Sequence, residues 1–193
     1  MRRIVLVLLA SAAVLSTVAS AENTASSSQS NDTPSTPSGL HVWFKLDRPS
    51  GSSYRRPYLA VWLEDAEGFP VKTATLWIQT EQPGPRWHRD LTRWYRNDRM
   101  RKIVEKTNLV DGISAATRGP GDYETHFDGT DNAGNPLPHG TYTLCLEAAR
   151  ENGTYKIIRT RVRLGETPIQ RTELKGNIEI PQAAYAYTPP NAK

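Results

Sequence analysis

Cysteine occurs once in the 193 residues, at Cys145, which excludes a disulfide framework and leaves any thiolate metal site in need of other ligands. The four histidines (His41, His88, His126 and His139) have no ligand spacing, so no metal centre is expected. Charge of one sign is scarce as well. The formal net charge is +4, and removing Arg2 and Arg3 from the count leaves it near +2. That balance excludes the strongly basic profile of a nucleic-acid binder. Catalytic signatures are also missing. Ser114 has no nucleophile elbow around it, the glycines sit singly in turns rather than in a phosphate loop, and no carboxylate pair stands out. The chain is therefore not expected to be an enzyme with turnover of its own.

The one long apolar run begins the chain. Arg2 and Arg3 precede an apolar stretch from Ile4 to Val18, and Ala19-Ser20-Ala21 supplies a small-x-small cleavage pattern. Its apolar core is about a dozen residues, short of the roughly 20 needed to cross a bilayer, so no stable membrane insertion is expected. Residues 1–21 read as a signal peptide cleaved after Ala21, which places the protein in the periplasm. Residues 22–39 are rich in Ser, Thr, Asn and Pro, with no apolar side chain larger than Ala before Gly39. Such a segment buries too little to offset its ordering entropy, and it reads as a flexible leader.

Residues 40–182 carry short alternating runs between turn signals, the pattern of a β-sandwich. Val42, Phe44 and Leu46 alternate with His41, Trp43 and Lys45; Leu59, Val61 and Leu63 alternate with Tyr58, Ala60 and Trp62. Val71 to Gln79 returns with Ala74, Leu76 and Ile78 on one face, giving a hairpin across Glu64–Gly68. Further strands are expected at Tyr123–Phe127, Thr141–Ala149 and Thr154–Leu164, the last two joined through Asn152-Gly153. Gly176–Ile180 reads as an edge strand, and residues 183–193 as a flexible tail.

One segment breaks the period. Trp87, Leu91, Trp94 and Tyr95 fall at helical spacing among arginines, so Trp87 to about Lys106 reads as a helical insertion. The basic residues from Arg86 to Lys102 form a solvated face on this reading, open to an acidic partner or a phosphate. The fold class is mainly β: an immunoglobulin- or fibronectin-like sandwich with one helical insertion. The stretch from Phe127 to Tyr142 is similar to the strand-turn-strand signature of the immunoglobulin-like domain in flagellar hook-capping proteins. Its Asp and Asn side chains cap their own backbone, and Gly134 and Gly140 are free to take positive φ, so turn chemistry accounts for the acidic pair without calcium.

Several segments resemble one family of predicted periplasmic proteins, the domain of unknown function numbered twenty-two seventy-one. They are Tyr54–Asp65, Ala74–Trp77, Leu91–Tyr95, Ser114–Gly121, the Asp-Gly turn and Thr143–Glu151, in the same order and spacing over about residues 40–165. The resemblance implies a setting with PepSY-type membrane proteins and ApbE-type flavin transferases.

Within it, Asp111-Gly112-Ile113-Ser114-Ala115-Ala116-Thr117 resembles the acceptor motif of covalently flavinylated proteins. There, a transferase moves the FMN part of FAD onto the final hydroxyl. The acceptor must be a hydroxyl because its oxygen becomes bonded to phosphorus, and its neighbours must be small to enter a crowded active site. The resemblance gives Thr117 the covalent FMN, Asp111 the orientation of the loop, and Ala115 and Ala116 the small flank, with Ser114 a further cofactor-site residue of the motif. Arg118 supplies positive charge for the phosphodiester. Ala115 stands where glycine is commonest, and a Cβ there disfavours positive φ. Trp77, Trp94, Trp87 and Tyr95 are candidates to stack on the flavin, with core packing as their other role. Asp111 or Ser114 could equally cap a plain turn. The expected function is a periplasmic electron carrier with FMN on Thr117, linked to a PepSY-type membrane redox system. The alternative is a cofactor-free immunoglobulin-like scaffold or protein-binding module.

Overall fold

The computed structural model describes residues 37–50 and 54–190, so the expected signal peptide and most of the leader lie outside it. Among the described residues nine strands form two sheets. The first four are β1 (Gly39–Leu46), β2 (Tyr58–Glu64), β3 (Pro70–Trp77) and β4 (Ser114–Ala115). Then follow β5 (Gly121–Phe127), β6 (Gly140–Ala149), β7 (Tyr155–Leu164), β8 (Ile169–Leu174) and β9 (Gln182–Thr188). One sheet has the order β5-β1-β9-β8 and the other β4-β3-β2-β6-β7. All pairings are antiparallel except that of β4 with β3. The architecture is a β-sandwich, as the alternating runs predict.

The alternation in β1 and β2 decides which faces meet. Leu40, Val42, Phe44 and Leu46 pack against Leu59, Val61, Leu63, Leu144, Leu146 and Val162 between the sheets. The other side of β2 is buried too, because Tyr58, Ala60 and Trp62 lie beneath the helical insertion with Leu76, Ile78, Leu91 and Trp94. Every residue of β2 is therefore buried, the signature of a strand covered on both faces. The β2–β3 hairpin forms as expected, with one change of face. A bulge between Val61 and Trp62 offsets the register, so Ala74 packs into the inter-sheet core while Leu76 and Ile78 face the helix.

The insertion opens with a 3₁₀ stretch, Gly84–Asp90, and continues as α1 (Thr92–Glu105), which ends with Lys106 in the left-handed region. The aromatic and leucine spacing is correctly helical, since Leu91 and Trp94 are buried. The arginines do not all form a solvated face. Arg93 is held by Glu64, and Arg101, 1 % exposed, by Asp98, Glu105 and Thr107.

Two terminal expectations are corrected. Gly176–Ile180 is not a strand; Asn177 Oδ1 instead accepts the amides of Glu179 and Ile180 in a turn. The residues from 183 onward are not a loose tail through Thr188, because β9 lies between β1 and β8 and buries Ala183, Tyr185 and Tyr187. The Asp-Gly segment is a self-capped turn: Asp131 Oδ1 accepts the amides of Ala133 and Asn135, both at 2.8 Å, and Gly134 has φ +87°. Gly140, expected to share that freedom, has no positive φ and starts β6. Burial acts to raise Asp128, but its hydrogen bonds from Thr130 and Lys72 prevail and bring it down to about 2.

Candidate functional site

The acceptor-like segment sits at one edge of the five-stranded sheet. After α1 the chain turns through Asn108, whose Oδ1 accepts the Val110 amide at 3.2 Å and whose Nδ2 donates to Asp111 Oδ2 at 2.7 Å. Asp111 and Ser114 are the turn-capping candidates of the sequence. Asn108 takes that role instead, and Asp111 stands in the first turn of the short helix α2 (Val110–Ile113). Beyond α2 the backbone extends into β4, where Ser114 and Ala115 align with Leu76 and Trp77. The Ile78 amide donates to the Ala115 carbonyl at 3.0 Å. Ala115 thus occupies extended backbone, where its Cβ costs nothing, and the departure from glycine carries no strain in this conformation.

Ala116 to Pro120 then cross the open edge. Ala115 and Ala116 are exposed and Thr117 is half-buried. Thr117 lines an open cleft of about 320 Å³ with Ile78, Gln79, Thr80, Glu81 and Ser114. Two arginines adjoin the loop. Arg56 Nη1 donates to the Thr117 carbonyl at 3.5 Å, a long contact, and the Arg118 guanidinium lies 4.8 Å from the Trp77 ring centre and 5.7 Å from that of Tyr123. Tyr123 Oη donates to the Gly119 carbonyl at 2.9 Å, fastening the far end of the loop. The result is a partly exposed threonine beside small residues at the rim of an open cleft, on a loop that two arginines adjoin. Arg56 is 61 residues from Thr117, and only the fold brings it near.

The aromatic candidates fare differently. Trp94 is 2 % exposed and donates from Nε1 to Thr73 Oγ1 at 3.3 Å, so it is core under α1 and offers no face to a ligand. Trp77 lies beside the loop but is 5 % exposed, enclosed by Phe44, Tyr123 and Arg118. Packing wins for both because their rings fill the layer on either side of β3. Trp87 and Tyr95 pack against the same layer as Trp94, and the Arg86 guanidinium lies 4.6 Å from the Trp87 ring centre.

A second polar centre lies beneath α1, assembled from residues far apart in the chain that no local motif connects. Glu64 and Glu147 are both fully buried. Glu64 receives Arg93 through Nε at 2.7 Å and Nη2 at 2.6 Å, with Asn97 at 2.7 Å, Trp62 Nε1 at 3.1 Å and Arg159 at 3.2 Å. Burial pushes its carboxyl up, but the bonds and charge of Arg93, with Trp62 and Arg159, outweigh burial and hold it below its ordinary value. Glu147 accepts the amides of Arg93 and Trp94, both at 2.8 Å, so a strand carboxylate caps the N-terminus of α1. Burial prevails here and raises its carboxyl.

Cys145, between these acids, is buried and pushed up to about 12, chiefly by burial and then by Glu64, so its thiol is unreactive. A cleft of about 730 Å³ opens over Glu64, Arg93, Arg159 and Arg161. Glu64 pairs with both Arg93 from the helix and Arg159 from β7, so this centre ties the helix to the sheet.

Among the described residues no helix is long and apolar enough to cross a membrane. No curated protein and no solved structure matches the chain. The model of a family described as predicted periplasmic protein (DUF2271) matches residues 39–182, from the first residue of β1 to the first of β9. The segments that carry the sequence resemblance all fall inside that span, and the chain belongs to this family of predicted periplasmic proteins.

Proposed function

We propose that this periplasmic protein is an electron carrier with FMN bound covalently to Thr117. Supporting the reading is the setting of one threonine: Thr117 is half-buried at an open cleft, preceded by exposed Ala115 and Ala116, with Arg56 at its backbone carbonyl and Arg118 next in the chain. An ApbE-type flavin transferase supplies the group. The Thr117 oxygen bonds to the FMN phosphorus of FAD, the pyrophosphate bond breaks, AMP leaves and the hydroxyl proton passes to the transferase. Once attached, the flavin supplies the electron-transfer chemistry. Arg118 and Arg56 offset the phosphodiester charge, and the Gln79–Glu81 side of the cleft bounds the space beside the attachment point. A PepSY-type membrane protein is the proposed redox partner, and the chain itself catalyses no turnover.

Co-expression with a periplasmic flavin transferase tests this. The recovered protein is expected to fluoresce on a denaturing gel under ultraviolet light and to carry the mass of one FMN less one water. Thr117→Val abolishes both signals and Thr117→Ser retains them. Because Thr117 is a partly exposed loop residue, the valine variant should unfold within about 0.5 kcal/mol of the parent. Unmodified mass beside an active transferase overturns the carrier and favours the cofactor-free binding module.

A further inference from the structure

The buried stripe of α1 is formed by Trp94, Asn97, Asp98 and Arg101, so apart from Trp94 and the half-buried Tyr95 the helix faces the sheet with polar groups. Its aliphatic residues and methionine point the other way. Met100 is 43 % exposed, Ile103 79 % and Val104 64 %. They lie three and four residues apart and so form one outward patch. Arg96 and Arg99 are exposed on the same side, with Lys106 at the helix end, and none of these three has a carboxylate partner among the described residues. The nearby acids are spent: Asp98 pairs with Arg101 and Lys102, and Glu105 with Arg101.

We infer that this face of α1 docks on an anionic lipid bilayer. Uncompensated cations interleaved with apolar side chains match a surface whose anionic headgroups overlie hydrocarbon. The long arginine side chains can keep their charge at headgroup level while Met100, Ile103 and Val104 enter below. The charge selects the partner. Three unpaired cations favour an anionic surface over a neutral one, and a convex patch on a single helix offers no pocket for a protein's anchoring side chain. A periplasmic protein meets membranes as a matter of course. The inference is independent of flavin attachment.

Sedimentation with lipid vesicles tests it, using protein recovered from the periplasm after expression of the full chain. Binding to vesicles of phosphatidylcholine with phosphatidylglycerol is expected to exceed binding to phosphatidylcholine alone by about tenfold or more, and to fall as salt rises. The triple variant Met100→Ser, Ile103→Ser, Val104→Ser should lose about tenfold with its thermal transition kept, since all three side chains are exposed. Arg96→Gln with Arg99→Gln should lose a similar factor and flatten the salt dependence. Equal binding to both vesicle types, no binding, or full binding by the triple variant overturns the inference. Capture by polyglutamate without capture by vesicles also overturns it, in favour of an acidic protein partner.

Discussion

A chain ending at Pro181 is expected to lose cooperative folding, although its sequence reads as a domain that has merely shed a tail. Residues 182–188 are β9, an interior strand. It pairs with β1 along seven register positions, from Gly39 opposite Thr188 to Lys45 opposite Gln182, and it is the sheet partner of β8. Removing it strips one side of β1 of its partner and leaves β8 with none. The core loses Ala183, Tyr185 and Tyr187, the last of which donates from Oη to the Gly165 carbonyl at 2.9 Å. Truncating a large buried aromatic costs about 3–5 kcal/mol. Two of them together approach the entire ~5–15 kcal/mol that holds a domain folded. Far-ultraviolet circular dichroism through a thermal ramp, with limited proteolysis, gives the reading. A sharp transition within a few degrees of the parent would show β9 to be dispensable.

That strand shows where sequence reading stopped. Ala183, Tyr185 and Tyr187 do alternate inward, but alanines and the preceding Pro181 dilute the period-2 signal, and the pairing is with a strand some 140 residues earlier. Nothing local distinguishes such a segment from a tail. The strands with bulky inward residues, β1 and β2, were legible because burial on a known face repeats every second position. The helical insertion was legible in its spacing and misread in its charge: Arg93 and Arg101 look like their exposed neighbours until Glu64 and Asp98 come within reach.

The acceptor loop divides the same way. Its small residues and terminal threonine form a local pattern, so Asp111 to Thr117 could be picked out from order alone. Its neighbours, Arg56 and the Gln79–Glu81 wall, arrive through the sheet and left no trace in the motif. The same holds for Trp94, whose helical spacing is equally good for packing and for stacking; 2 % exposure settles it as packing.

Glu64→Ala is expected to cost about 3 kcal/mol. Glu64 has no exposed surface and it is the common acceptor for Arg93, Asn97, Trp62 and Arg159. Removing one partner of a buried pair typically costs about 3–5 kcal/mol. Arg93 retains 23 % side-chain exposure, so water can recover part of its charge and the lower figure applies. The thermal midpoint should then fall by about 6–12 °C at roughly 2–4 °C per kcal/mol.

The isosteric Glu64→Gln should fall between parent and alanine, and it allows a pH test. Glu64 titrates below its ordinary 4.5 in the folded protein, so its stabilisation is full above that value and drains away as pH falls through the folded one. Glu147 works in the opposite sense: its folded value is raised, so its ionisation opposes folding as pH climbs and protonation relieves that at low pH. The two glutamates therefore partly cancel in the acid limb of the parent, but only the Glu64 contribution is missing from Glu64→Gln. The gap in thermal midpoint between parent and Glu64→Gln should stay constant from pH 7 down to about pH 5 and then narrow. A gap that stays constant down to pH 3 would mean that Glu64 acts by shape and hydrogen bonding alone, and that the charge of Arg93 is not what holds α1 to the sheet.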